Sequence, residues 1–354
     1  MIAVVLALPV VEWRTGQSDV EPLNLAPAGA YAVTAQRVWI DTDAACGASR
    51  TTDPDDCLAL LALLKARSLR VVGVSTIFGN APIEVTDRTT RDLIDQLAAE
   101  GFSIPPVYRG RDTSRTVADA VVPTLAENAI REALAEAPMV IVALGPLTNI
   151  AAVLRSHPEL ATQVQQIIAV MGQQPGHVFH PVEGGTARML FGHGPVFQDF
   201  NFAKDRSAVT ELLSLKLPMT WVPYAVAQNI TVTAADLDAM GRDGVTARWV
   251  ADRSREWLFF WREDIRQRGF FSFDLVAAAY LLHPELFRCT PVRPSIGRHS
   301  WYWRWVLGDT GLFVDQRIDA EQGELRHRVV YCPSASAGVH DAALADVTFT
   351  SRLR

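Results

Sequence analysis

The chain has 354 residues, 49% of them hydrophobic and 20% charged, so it can bury a large α/β core with appendages, or two modest domains, and is no disordered chain. A net charge of −6 without a long basic run excludes nucleic acid as the main partner, because phosphate binding needs clustered Lys and Arg. No apolar run reaches the roughly 18 residues that a spanning helix needs, so no membrane span is expected.

The N terminus begins "MIAVVLALPVV", and "APAGAYA" at residues 26–32 offers small-residue cleavage sites of the signal-peptide kind. No Lys or Arg precedes the apolar run, however, and the first basic side chain is Arg14. Residues 1–36 are therefore read as an N-terminal arm on a cytoplasmic enzyme, with export as the alternative.

From Arg37 the pattern becomes regular. "RVWI" predicts a short buried strand, and "DDCLALLALLKARS" a helix apolar almost all round. "RVVGVSTIFGN" predicts a second strand ending in Gly79-Asn80, and "EVTDRTTRDLIDQLAAEG" an amphipathic helix closed by Gly101. "MVIVALGP" is a buried strand followed by the helix "LTNIAAVLRS", and "VQQIIAVMG" and "LPMTWVPY" are two more strands. Val/Ile-rich runs alternating with helices predict an α/β fold, an open, mostly parallel Rossmann-like sheet with helices on both faces. In such sheets ligands bind beyond the carboxyl ends of the strands.

Residues 172–200 form a long Gly/Pro/His-rich loop before the helix "DRSAVTELLSL", of a length that suggests function rather than simple connection. After residue 285, "WYWRWVLGDTGLFVDQRI" and "ELRHRVVYC" read as a strand meander. The expected organisation is one catalytic domain, 37–354, with a small C-terminal strand appendage at about 288–354. Cys46, Cys57, Cys289 and Cys332 form no CxxC pair, so zinc-type spacing is absent and the four are expected to be reduced.

Five aspartates crowd the first strand end: Asp41, Asp43, Asp53, Asp55 and Asp56. Asp53-Pro54-Asp55-Asp56 makes a good helix start, with Asp53 as N-cap, Pro54 at the first helical position and acids in the first turn. That accounts for half of the cluster and leaves Asp41 and Asp43 unexplained. A calcium EF-hand loop from Asp41 fails, because Cys46 and Thr52 stand where Gly and Glu are required. An aspartyl-phosphate phosphatase, with Asp41 as nucleophile and Asp43 as acid/base, needs a Lys near a later strand end, and "AVMGQQ" offers none. A strand-end pair and a helix-start pair joined by a loop can instead converge on one hard cation, and Ca²⁺ suits such an all-oxygen site better than Zn²⁺.

At this point the sequence resembles the inosine-uridine-preferring nucleoside hydrolase family. That family opens with a strand and Asp-x-Asp-Pro-Gly-x-Asp-Asp-Ala; "DTD…DPDDCLAL" is similar, with a longer loop inserted between its halves. "VVGVSTIFGN", "IPPVYRG", "ALGPLTNIA", "VMG", "DFNFAKD" and "FDLVAAAYLLHPELF" follow in order, over roughly residues 37 to 290, with an echo in "GDTGLFVD". The resemblance implies the nucleoside hydrolase fold, a homodimer or homotetramer, and Ca²⁺-dependent cleavage of a nucleoside's N-ribosidic bond through an oxocarbenium-like transition state. It implies Ca²⁺ ligation by Asp43, Asp56, the Leu144 carbonyl and Asp274, with Asp43 also the general base toward water. Asp55 would accept hydrogen bonds from the ribose diol, and Asn80 and Asn201 would touch the sugar.

Three positions depart from the family pattern. Asp199 replaces a Glu expected at the 5′-hydroxyl and is one methylene shorter. His193 replaces the Asn of a Gly-Asn pair, and Phe273 replaces the His that donates a proton to the leaving base. His193 is the first substitute for that donor, with His177 and His180 on the same loop behind it. Alternatively Trp257, Phe260 and Trp261 stack on the base and raise its basicity, although at helical spacing such a stripe equally reads as core. Arg50, on the inserted "AACGASRTT", would recognise an anionic substituent or belong to a solvated lid. A riboside-binding protein that kept the ion and lost the hydrolysis is the non-enzymatic alternative.

Overall fold

In the computed structural model, which describes residues 35–114, 122–174, 198–299, 301, 304, 308–315 and 329–348, the alternation of strands and helices builds one nine-stranded sheet. Its parallel part is built first from six strands, to which a seventh is added near the C terminus: β1 (Gln36–Thr42), β2 (Leu69–Thr76), β3 (Val107–Arg109), β4 (Met139–Ala143), β5 (Val164–Ala169) and β6 (Met219–Trp221). Their order is β6-β5-β4-β1-β2-β3, so the chain winds outward in both directions from the β1/β4 pair. Such a reversal opens a crevice at the strands' carboxyl ends. The Asp-rich end of β1 sits there beside the end of β4, joined by a 2.8 Å bond from the Leu144 N–H to the Asp41 carbonyl.

Both faces are covered, which is why these strands read as continuous apolar runs. Val38 and Ile40 face a core built with α1 (Asp55–Lys65), α2 (Ile83–Ala99), α8 (Val245–Phe260) and α9 (Phe273–Leu282). Trp39 points the other way, into a core shared with α3 (Leu125–Glu136), α4 (Thr148–Ser156) and α6 (Arg206–Ser214). α1 is apolar all round because Asp55 through Leu63 are all buried, under α9 on one side and α10 (Val339–Val347) on another. The remaining helices are α5 (Phe200–Lys204) and α7 (Ala234–Met240), and β7 (Thr231–Thr233) pairs with β8 (Gly269–Phe271) in a separate ribbon.

The C-terminal strands continue the main sheet. β11 (Val329–Ala335) adds to β6 in parallel, and β9 (Phe287–Arg298) and β10 (Thr310–Asp315) follow it antiparallel. The chain divides into two units, Met1–Thr34 and Ala35–Arg354. The signal-like segment belongs to the first and lies outside the described residues. Among the described residues no helix is long and apolar enough to cross a membrane.

The cysteines correct the sequence reading. All four are paired, Cys46 with Cys57 and Cys289 with Cys332. The first bond ties the inserted loop to α1; the second joins β9 to β11, whose antiparallel pairing brings residues 43 positions apart to a Cα separation of 4.0 Å. Separation along the chain carries no trace of such a pairing, which register alone decides.

Candidate active site

β1 ends at Thr42, and with it the alternation that would send Asp41 and Asp43 to the same face. Asp41 stays in the sheet, fully buried, accepting hydrogen bonds from the Ser75 hydroxyl on β2 and from Asn149 Nδ2 on α4, the latter at 2.8 Å. Burial pushes its carboxyl up to about 7. It does not line the cavity beyond the strand ends, so the phosphatase alternative has no nucleophile there.

Asp43 leaves the strand and does line that cavity, which encloses about 310 Å³. Its Oδ2 accepts the Asn80 N–H at 2.7 Å. The approach depends on Gly79, whose φ is +155° and whose hydrogen stands where a Cβ would lie 2.0 Å from that oxygen. Asp53 accepts the Asp55 N–H at 3.2 Å, but α1 starts one residue later than expected, with Pro54 rather than Asp53 in the cap position. Asp56, in the first turn, accepts the Thr42 hydroxyl at 2.5 Å and the Asp43 N–H at 3.2 Å. Asp55 accepts the Asp56 N–H at 3.1 Å and, from the facing start of α9, the Asp274 N–H at 2.7 Å. That last bond sets two helix N-termini against each other, and one oxygen each from Asp55, Asp56 and Asp274 lies within 4.8 Å of the others.

The electrostatics are one-sided. Burial, followed by the charges of Asp56 and Asp55, holds Asp43 well above the usual carboxylate range; burial and the same two neighbours do so for Asp274. Asp53 is raised well above that range by burial and by Asp55, and Asp56 is pushed up to about 6 by burial and then Asp55. No Lys, Arg or His is among the described residues that line the cavity. Buried carboxylates without a countercharge must take up protons or a cation. The donor set is all oxygen, as hard divalent cations require.

The Leu144 carbonyl at the end of β4 accepts Asn201 Nδ2 at 2.6 Å, and a carbonyl oxygen keeps a second lone pair. Asn80 and Asn201 both line the cavity; Asn80 Nδ2 is held by the Asp53 carbonyl at 2.8 Å. Asp199 lines it too but is tied down, capping α5 through the Phe202 N–H at 3.3 Å and accepting the Gly172 N–H at 2.6 Å. Burial moves its carboxyl up to about 7.

Phe273 and Trp257 form part of the apolar wall. Trp261 does not reach it: one helical turn beyond Trp257, where a π turn begins, it is buried in the core, edge-on to Phe271 and Trp257 with centroids 4.8 and 6.2 Å away. Arg50 is no open anion receptor, since it pairs with Asp264 at 2.5 Å and lies over the Phe259 ring. His177, His180 and His193 lie outside the described residues. Thr51, Gln198, Phe200 and Tyr224 line the cavity without having been singled out from the sequence; "DFNF" and "WVPY", at strand and helix ends, were the available signals.

A model of the inosine-uridine preferring nucleoside hydrolase family matches residues 38–331. Among curated proteins, the non-specific ribonucleoside hydrolase RihC of Klebsiella pneumoniae subsp. pneumoniae is 26% identical over 289 residues, covering 75% of this chain and 88% of that protein. Among solved structures, a plant nucleoside hydrolase, the PpNRh1 enzyme, superposes with a TM-score of 0.68 at 20% identity over 89% of this chain and 99% of its own. A purine-preferring ribonucleoside hydrolase from Gardnerella vaginalis gives 0.68 at 16% identity, over 88% and 98%. At such identities the structural likeness establishes the fold.

Proposed function

The chain belongs to the inosine-uridine preferring nucleoside hydrolase family, and from that premise we propose that it hydrolyses the N-glycosidic bond of a ribonucleoside at the Asp-lined cavity, releasing ribose and free base. Ca²⁺ would be held by Asp43, Asp56, the Leu144 carbonyl and Asp274. One observation carries the reading: buried acids from β1, α1 and α9 converge on one cavity with no basic side chain among its described lining residues.

When bound, the cation supplies the positive charge that lets these carboxylates stay ionised and orders hydroxyl groups of the sugar. Asp43 then takes the proton of the attacking water, a general-base role worth about 10²–10⁴ in rate. The Asn80 N–H, fixed by Gly79, keeps that carboxylate aimed into the cavity. Asp55 is oriented by two backbone N–H groups, and each of its oxygens keeps a lone pair for the ribose diol. Phe273 and Trp257 present an apolar surface to the leaving base, excluding water and offering a face to stack on. The proton for that base is assigned to His193 of the long loop.

The test is base release from a panel of purine and pyrimidine ribonucleosides, with and without a chelator, by wild type and Asp43→Asn. Turnover that survives both chelation and the substitution overturns the reading. Phe273 favours one other outcome, a riboside-binding protein: calorimetric binding without product would identify it. The two disulfides suit an oxidising compartment and so support export over the cytoplasmic expectation. Thiol alkylation of protein taken from its own cells would label no cysteine if that is right, and all four if it is wrong.

A further inference from the structure

We infer that the inserted segment 44–54 is a strap that fixes the base-facing wall of the cavity against the aspartate cluster, and that Arg50 is the positioning residue through which it sets selectivity for the base. The inference rests on the riboside-hydrolase reading. It goes beyond it by giving a role to the part of the opening motif that the family pattern lacks.

The strap is anchored at three places. Its root is the Cys46–Cys57 disulfide, whose second cysteine directly follows Asp56. Next, Gly47 (φ +76°) lies flat on α8, where a Cβ would stand 2.7 Å from Arg253 Cγ; the Arg253 guanidinium is itself stacked 3.8 Å over the Trp249 ring. At the tip, the Arg50 guanidinium lies 4.8 Å over Phe259 and pairs with Asp264, just beyond α8. The Arg253 and Phe259 contacts straddle Trp257, the residue by which α8 enters the cavity wall. Between its anchors the strap turns tightly, with the Ser49 and Thr52 hydroxyls 2.6 Å apart, and presents Thr51 to the cavity. Its last residues close the circuit, since the Asp53 carbonyl accepts Asn80 Nδ2 while the Asn80 N–H holds Asp43. One short segment thus touches the general base's support at one end and the base-facing helix at the other.

The tip is the adjustable anchor. The Arg50 and Asp264 side chains are 45% and 50% exposed, so an ion pair and a cation–π contact of this kind favour the docked strap only about fivefold to thirtyfold. Losing them lowers the fraction of molecules with an assembled base wall and leaves Asp43, Asp55 and Asp56 in place. That is a binding defect rather than a chemical one.

The experiment compares wild type, Arg50→Ala, Asp264→Ala, the double variant and Arg50→Lys on purine and pyrimidine ribosides, with Arg255→Ala, on the same helix, as control. Arg50→Ala should raise KM about threefold to tenfold with kcat within about twofold, and narrow the ratio of kcat/KM between bases. Asp264→Ala should do the same, the double variant should add less than the sum, and Arg50→Lys should recover part of the effect. Hydrogen exchange of ligand-free protein should speed up in 44–54 and around Trp257 in Arg50→Ala and not in Arg255→Ala. Unchanged base selectivity in an active Arg50→Ala enzyme, or unchanged exchange, overturns the strap. Wild-type protein inactive on every riboside removes the parent reading, and the exchange comparison still decides whether the strap exists.

Discussion

Replacing Asp274, a proposed ligand, by Asn should stabilise the protein in chelator and take away much of the stabilisation that a bound cation brings. The side chain is buried among acids, with oxygens of Asp55 and Asp56 no more than 4.8 Å away. At an effective dielectric of about 20, two unit charges at that distance repel by ~3.5 kcal/mol. A carboxyl can escape by protonation, at a cost of about 5.6 kcal/mol at pH 8 for a group of ordinary pKa, so the relief lies between about one such pair and that ceiling. With an unfolding entropy near 0.7 kcal/mol/K for a chain of this length, that is a rise in Tm of roughly 5–8 °C in chelator. With cation present most of that advantage disappears, because a proposed ligand is gone: a site saturated a hundredfold above Kd contributes about 2.7 kcal/mol to wild type, and the variant forfeits much of it. Calorimetry of both proteins in chelator and in millimolar Ca²⁺ reads all four values. A variant that is less stable than wild type in chelator, or that gains as much from Ca²⁺, would refute the argument that the cluster is a strained anion awaiting a cation.

Gly79→Ala should cost at least tenfold in kcat, because its Cβ would overlap Asp43 Oδ2 and φ +155° is closed to alanine; Gly101→Ala, at φ +87° with open space around its Cβ, should lose stability of about 1 kcal/mol and keep full activity. Stability of the chelated protein should fall with rising pH. Asp199 is raised by burial to about 7, so its contribution is fully present below the ordinary value near 3.9 and is lost as pH climbs through 7, on the order of 4 kcal/mol. Asp199→Asn should flatten the slope of Tm against pH between 4 and 7.5, and an unaltered slope would exclude Asp199 as its source.

The central strands were legible because burial on both faces makes their middles rich in Val, Ile and Ala, a pattern set by one simple constraint. β4 is buried at every position. Short elements escaped: β3, β7 and β8 have three residues each, too few for any period to show. α3 was missed although its start carries a reciprocal capping pair, Thr124 Oγ1 accepting the Glu127 N–H at 3.1 Å and Glu127 Oε2 the Thr124 N–H at 3.3 Å. The C-terminal strands were readable as strands, but nothing local says that β11 lies parallel to β6 and so lengthens the main sheet. The disulfide between β9 and β11 was hidden for the same reason.

The site shows the same division between local and long-range information. Asp53, Asp55 and Asp56 look like an ordinary helix start, and they are one: α1 begins within one residue of where their propensities put it. Asp274 is equally ordinary at the start of α9. What no local pattern contains is that these two helix starts abut, through the bond from the Asp274 N–H to Asp55, so that acids each suited to its own helix are forced onto one another. Resemblance supplied that pairing; the residues alone supplied only the surplus of charge. Two side chains outside the resemblance had alternatives open. Arg50 could have met a substrate or belonged to a solvated lid, and it is engaged with Asp264 and Phe259. Trp261 could have been a stacking surface or core, and it is core, one helical turn beyond Trp257. Both lie where the inserted loop, the part of the opening motif that the family pattern lacks, meets α8 and the turn after it.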